Sequence, residues 1–162
     1  DFAAPRTSFF PSLVATLNHI LIVDWYYVAA IERAIAGLPV DPDALAVMDD
    51  EIPHPRCVEL AAAQRAVDLR LIAACRTLDD ARLASLIVPV QRAARVDREP
   101  AVRLLAHLFE HQIHHRGQAH AMLSGTSVAP PQLDEFFSAG EAPLRAAEFA
   151  QLGWTEERIW GE

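Results

Sequence analysis

Residues 104–124 read LLAHLFEHQIHHRGQAHAMLS, and five of the chain's seven histidines fall inside this stretch. His111 and His115 are four apart, so on a helix they stand one turn above another on the same face. Two imidazoles so placed can share one metal ion when a third ligand arrives from elsewhere in the fold. At 100° per residue with His107 at zero, His111 falls at about 40° and His115 at about 80°. Leu104, Leu108 and Met122 fall at about 60°, 100° and 60° on the same scale. The two histidines therefore lie in the arc that faces a core, with His107 and His114 near its edge and His120 far from its centre. Neutral imidazoles in a core need partners, because an unsatisfied buried polar group is costly.

Around this helix the chain punctuates itself clearly. Glu99-Pro100 opens the histidine helix and Gly125 stands just past its end. Ser12 offers an N-cap to an earlier apolar run through Leu13, Leu17, Leu21, Val28, Ile31 and Ile35, which predicts a helix over 12–36. That helix is apolar nearly all round, which suits heavy burial in a bundle or against a partner subunit. Asn18, His19, Asp24, Glu32 and Arg33 inside it argue against a membrane span. The segment from Gly37 to Pro55 is turn-rich and acidic, a loop with room for one short helix. A second long helix is expected from Pro55 to about Leu78, with Val58, Ala62, Val67, Leu69, Leu71 and Ile72 on its apolar side. SLIVPVQ, from Ser85, reads as an extended connector, since Pro89 interrupts it and no partner strand is evident. Beyond a Ser/Pro turn, Leu133–Ser138 and Glu141–Leu152 read as helical, and Thr155 caps a last short helix that ends at Trp160.

The expected fold class is therefore all-α, in a single domain over 1–162 that is long enough to bury a proper core. Apolar residues make up 52% of the chain, while glycine is scarce and alanine and leucine dominate, as helices prefer. The net charge of −8, with scattered arginines and no lysine, gives no electrostatic footprint for nucleic acid or an anionic membrane. Cys57 and Cys75 fall in one expected helix, roughly 27 Å apart along its axis, so no intrachain disulfide is expected. Without a signal peptide, the expected compartment is the cytoplasm.

The earlier helix supplies one more histidine, His19, in the phrase TLNHILIVD. Three histidines from two helices facing one interior make a three-coordinate site with open positions, the arrangement of a catalytic zinc or related divalent ion. A different pairing is also present. His107-Leu-Phe-Glu110-His111 matches H-x-x-E-H, the inverted zinc-peptidase pattern with Glu110 as general base, which leaves His115 idle.

The phrases TLNHILIVDWYY (16–27) and HLFEHQIHHRGQAHAMLSG (107–125), with the Arg65/Asp68 region and QLDEFF (132–137), resemble the DinB-like family of small metal-binding four-helix bundles. The resemblance implies a DinB-like bundle with extra short C-terminal helices, a homodimer, and a divalent ion held by His19, His111 and His115. Zinc or nickel is expected ahead of iron or manganese. Arg116 and Gln118 match the family's RGQ without a role being implied: Arg116 suits a surface or interface ion pair, Gln118 a hydrogen bond in the core. The family's bundle begins with a long helix upstream of the matching segments, and this chain starts at Asp1. The expectation is that an N-terminal helix is missing from the sequence, with the bundle closed by later helices or by a second subunit.

Relatives in that family include thiol-dependent enzymes. The resemblance thus implies a metal-dependent S-transferase or isomerase that acts on a small-molecule substrate with a low-molecular-weight thiol as co-substrate. A metal-bound thiol is deprotonated near neutral pH and becomes a strong nucleophile. A metal-dependent hydrolase and a non-enzymatic metal-binding stress-response bundle are the alternatives. Tyr26 and Tyr27, beyond His19, are positioned either to orient substrate or to fill the core.

Overall fold

The computed structural model describes residues 1–130 and 138–161, and the protein is mainly helical. Its contacts divide it into two compact units, Asp1–Ser127 and Val128–Glu162.

The first unit is built on α1 (Leu13–Ile35), which packs against both α2 (Cys57–Cys75) and α4 (Ala101–Leu123). Ser12 caps α1 as expected, its hydroxyl accepting from the Ala15 amide at 3.2 Å. Gly37 ends the helix in a left-handed conformation (φ +67°), and the Leu38 amide reaches back to the Arg33 carbonyl at 2.9 Å. Length and composition alone would let α1 cross a membrane, but most of its apolar side chains are consumed inside the unit. Leu21, Val28 and Ile31 are fully buried with Val67 of α2 and Leu108 of α4. Burying such side chains is worth about 1.5–3 kcal/mol each, which offsets the entropy of ordering the helices.

One polar residue ties α1 to the long loop before α2. Asn18 is fully buried and spends its whole amide: Nδ2 donates to the Val14 and His54 carbonyls, and Oδ1 accepts from the His54 amide, all at 2.9 Å. The loop also contains a short 3₁₀ turn, Ala44–Met48.

Helix α2 starts and stops inside the expected span. The chain beyond Cys75 tightens into i→i+3 bonds at Thr77 and Leu78. Asp79 then caps α3 (Asp80–Ser85), a helix too short to leave a periodic signal.

The chief correction to the sequence reading is the connector. SLIVPVQ forms β1 (Ile87–Gln91), and its partner is β2 (Val96–Pro100), an antiparallel hairpin with Val88 opposite Glu99 and Val90 opposite Asp97. Pro89 does no harm to the ladder. The Ala101 amide bonds the Leu86 carbonyl and the Arg92 amide bonds the Arg95 carbonyl, which makes even-numbered residues of β1 the hydrogen-bonded positions. Pro89 and Pro100 therefore occupy non-bonded positions, where a missing N–H costs nothing. Val88 and Val90 point into the core that α1 covers, while β2 is polar on both faces, so its sequence shows no alternation to read. Pro100 closes β2 and Ala101 opens α4 without an intervening loop.

In the second unit, α5 (Ala142–Leu152) carries Pro143 in its first turn and ends at left-handed Gly153. The Thr155 hydroxyl caps α6 (Glu156–Trp160) by accepting from the Arg158 amide. Arg145 is fully buried; Nε and Nη2 grip the Glu156 carboxylate at 2.9 and 2.6 Å, and Nη1 donates to the Ser138 carbonyl. A buried guanidinium persists only when paired in this way. The helix expected over Leu133–Ser138 falls almost wholly outside the described residues.

Asn18→Ala is expected to lower stability by about 2 kcal/mol, because it strands backbone groups that have no other buried partner. Urea denaturation checks this; a loss under about 0.5 kcal/mol would mean that water serves the loop equally well.

Candidate metal centre

Helices α1 and α4 bring His19, His111 and His115 together, and no other residue joins them. One ring nitrogen from each lies within 4.8 Å of those of the other two. His19 Nε2 and His111 Nε2 are 2.9 Å apart, and the His111 and His115 rings stack a turn apart with centroids at 4.4 Å. His115 is buried; His19 and His111 are half-buried.

Hydrogen bonding orients the cluster. His115 Nδ1 lies 2.8 Å from Gln118 Oε1, an oxygen that can only accept, so Nδ1 carries the proton and Nε2 keeps its lone pair. An outer-shell acceptor on the far ring nitrogen is what metal-ligating histidines ordinarily have. Gln118 Nε2 lies 3.1 Å from His114 Nε2, so His114 steadies the amide in turn. On His111 the buried Nδ1 has no partner, and the ring's polar contact is made through Nε2 alone. Phe10 lies over the cluster, with its ring 4.4 Å from that of His19 and 5.5 Å from that of His115.

Burial, helped by the charge of the neighbouring His115, pushes the pKa values of His19 and His111 down to about 4. Both rings are neutral at pH 7, which is the form that ligates a metal.

This donor set fits a divalent ion. Two nitrogens on a tetrahedral zinc with bonds of about 2.0–2.1 Å stand roughly 3.3 Å apart, close to the spacing of His19 and His111. Two neutral imidazoles facing each other through Nε2 share at most one proton, so the arrangement is poorly satisfied by protein alone. The residues that would hold the ion are His19, His111 and His115.

The other candidates stand elsewhere. His107 is exposed, its ring 6.2 Å from that of His111 and edge-on to Tyr27, and Glu110 is exposed as well. The geometry therefore gives no support to an H-x-x-E-H site. Tyr26 and Tyr27 are buried core residues that tie α1 to the hairpin: the Tyr26 hydroxyl donates to the Gln91 carbonyl, and the Tyr27 hydroxyl accepts from Arg92 at 3.4 Å. Arg116 is exposed, while Gln118 has the half-buried hydrogen-bonding place expected of it. Phe10 escaped the sequence reading because it sits in an irregular, proline-bracketed segment without periodicity.

Beside the histidines lies a polar layer centred on Asp24 of α1, which is 1% exposed. Its Oδ2 accepts from Gln64 Nε2 of α2 at 2.7 Å and from Gln112 Nε2 of α4, while Oδ1 and Gln112 Oε1 are left without partners. Burial raises the Asp24 pKa to about 6 against the opposing pull of the two glutamines. A raised carboxyl pKa contributes stability that is whole below about pH 4 and is lost as pH climbs through about 6.

Two outcomes follow from this geometry. His111→Ala should abolish metal uptake measured by elemental analysis while His107→Ala leaves it unchanged, and Gln118→Ala should weaken affinity about 10–100-fold. Asp24→Asn should gain stability relative to the parent between pH 5 and pH 8, measured by denaturant titration at each pH. A difference that is flat with pH would mean that Asp24 is not the titrating group.

A comparison with curated proteins gave no match. The family model described as "DinB family" matches residues 1–148, which is most of the chain and includes every residue of the histidine cluster. The chain belongs to the DinB family.

Proposed function

We propose that the protein is a divalent-metal enzyme that brings a low-molecular-weight thiol, as co-substrate, to a small electrophilic substrate. The reaction is an S-transfer or the isomerisation of a thiol adduct. The observation that carries this reading is the donor set itself: three histidines and no carboxylate or cysteine. Imidazole ligation suits zinc or nickel, with iron or manganese behind them. When bound, such an ion supplies Lewis acidity, lowering the pKa of a thiol or water that reaches it.

The chain's own residues divide the remaining work. His19, His111 and His115 offer lone pairs at neutral pH because burial holds the first two unprotonated and Gln118 fixes the tautomer of the third. Phe10 covers the faces of His19 and His115 and keeps water from that side. Both cysteines belong to α2, outside the cluster, so a sulfur nucleophile has to arrive with the co-substrate. Because no carboxylate joins the histidines, no general base for water stands among them, which favours thiol attack over hydrolysis. Free cysteines suit a reducing compartment, and we place the protein in the cytoplasm. We also propose a homodimer, supported by Phe109 and Ile113 standing exposed on one face of α4.

The test is conjugation of a panel of small thiols to an aryl halide by metal-loaded and metal-stripped protein. Turnover should require the metal and fall by at least about a hundredfold in His19→Ala and His111→Ala. Ester cleavage without thiol transfer would replace this reading with a hydrolase. Metal uptake with neither activity would leave a metal-binding bundle.

A further inference from the structure

Beyond Gln118, on the side away from the cluster, an open cleft of about 460 Å³ lies between the N-terminal segment and the end of α4. Arg6, Thr7 and Ser8 line one wall, and Gln118, Met122 and Gly125 line the other. The cleft is therefore one side chain removed from His115, since Gln118 touches both.

Arg6 is the unusual member of this lining. In this acidic chain, arginines such as Arg33, Arg70, Arg92 and Arg145 face a carboxylate. The cleft has no acidic side chain in its lining. Arg6 Nη2 reaches only a backbone carbonyl, that of Asp1 at 3.3 Å, and Nε is buried without any partner. A guanidinium presents a planar fork of donors, and a charged donor left buried and unsatisfied is costly. Its natural complement is an oxyanion, which the fork can take through two parallel bonds. Gly125 helps to make the space: a Cβ there would stand 3.5 Å from Arg6 Nη1, so any longer side chain would compete with the guanidinium for its position. Hydroxyl-bearing Thr7 and Ser8 add polar groups to the same wall.

We propose that this cleft is an oxyanion subsite, in which Arg6 holds a carboxylate or phosphate group of a small molecule whose reacting end lies at the three histidines. This assignment rests on the thiol-transfer reading for the position of the reacting end, but not for the anion itself. It makes one of the two reactants an acid. The subsite belongs to the chain and needs no ion.

Calorimetric titration of the full chain with succinate and, separately, inorganic phosphate tests this, in metal-free and zinc-loaded protein. Binding of at least one probe is expected in both forms, and the stronger of the two identifies the oxyanion. Arg6→Gln should weaken it about ten- to a hundredfold, the worth of a charged hydrogen bond, with Arg6→Lys in between. Gly125→Leu, which crowds the guanidinium without removing it, should weaken binding as well while thermal melting shows the bundle intact. Binding unchanged in Arg6→Gln, or no binding in any form, would overturn the subsite and leave Arg6 as a cation packed on the end of α4. Binding that appears only with zinc would also overturn it, by placing the anion on the ion, while the metal-centre reading would stand.

Discussion

Three imidazoles gathered at the junction of two helices cannot satisfy one another. Each neutral ring has one donor and one acceptor, and the facing Nε2 atoms of His19 and His111 have at most a single proton between them. Protonating the group is no remedy, because burial and the neighbouring ring hold His19 and His111 neutral until the pH falls to about 4. Lone pairs that can neither be protonated nor paired are what a divalent cation relieves. Much of the surrounding construction maintains that state: Gln118 fixes one tautomer, Phe10 closes one side, and the buried faces of α1 and α4 hold the rings within reach.

The two helices that carry the site are joined by polar as well as apolar packing. Asp24, Gln64 and Gln112 tie α1 to α2 and α4, while Asn18 ties α1 to its own loop one residue before His19. Apolar burial supplies most of the driving force and is tolerant of small rotations. Directional hydrogen bonds are less tolerant, and they specify which way His19 faces. This arrangement leaves Asp24 with an unpartnered oxygen at the centre of the unit, a polar cost accepted close to the functional site.

How much of this was legible beforehand depended on periodicity. Helices α1 and α4 are long and bounded by caps, so Ser12, Gly37 and Gly125 marked them and the helical angle placed His111 and His115 toward the core. Family phrases selected the same pair and His19. The hairpin was not legible, because β2 is polar and its pairing with β1 is decided by where two prolines fall in the ladder. Short α3 lacked the length to show a period. Phe10 and Arg6 were invisible for another reason: they lie in irregular chain, and only the folded path of residues 1–12 brings them beside α1 and the end of α4. The long-range sites were therefore found wherever a regular element carried them, and missed wherever a loop did.

The direct passage from β2 into α4 makes the hairpin a gauge for the metal centre. With no slack between Pro100 and Ala101, strand pairing and helix phase are set together. Slipping β2 by a single residue against β1 would turn α4 by about 100° and carry it about 1.5 Å along its axis. His111 and His115 would then swing away from His19 although nothing near them had changed. The four-residue turn at Arg92–Arg95 can thus vary in kind but hardly in length. A deletion there, remote from every ligand, is mechanically equivalent to removing two of them.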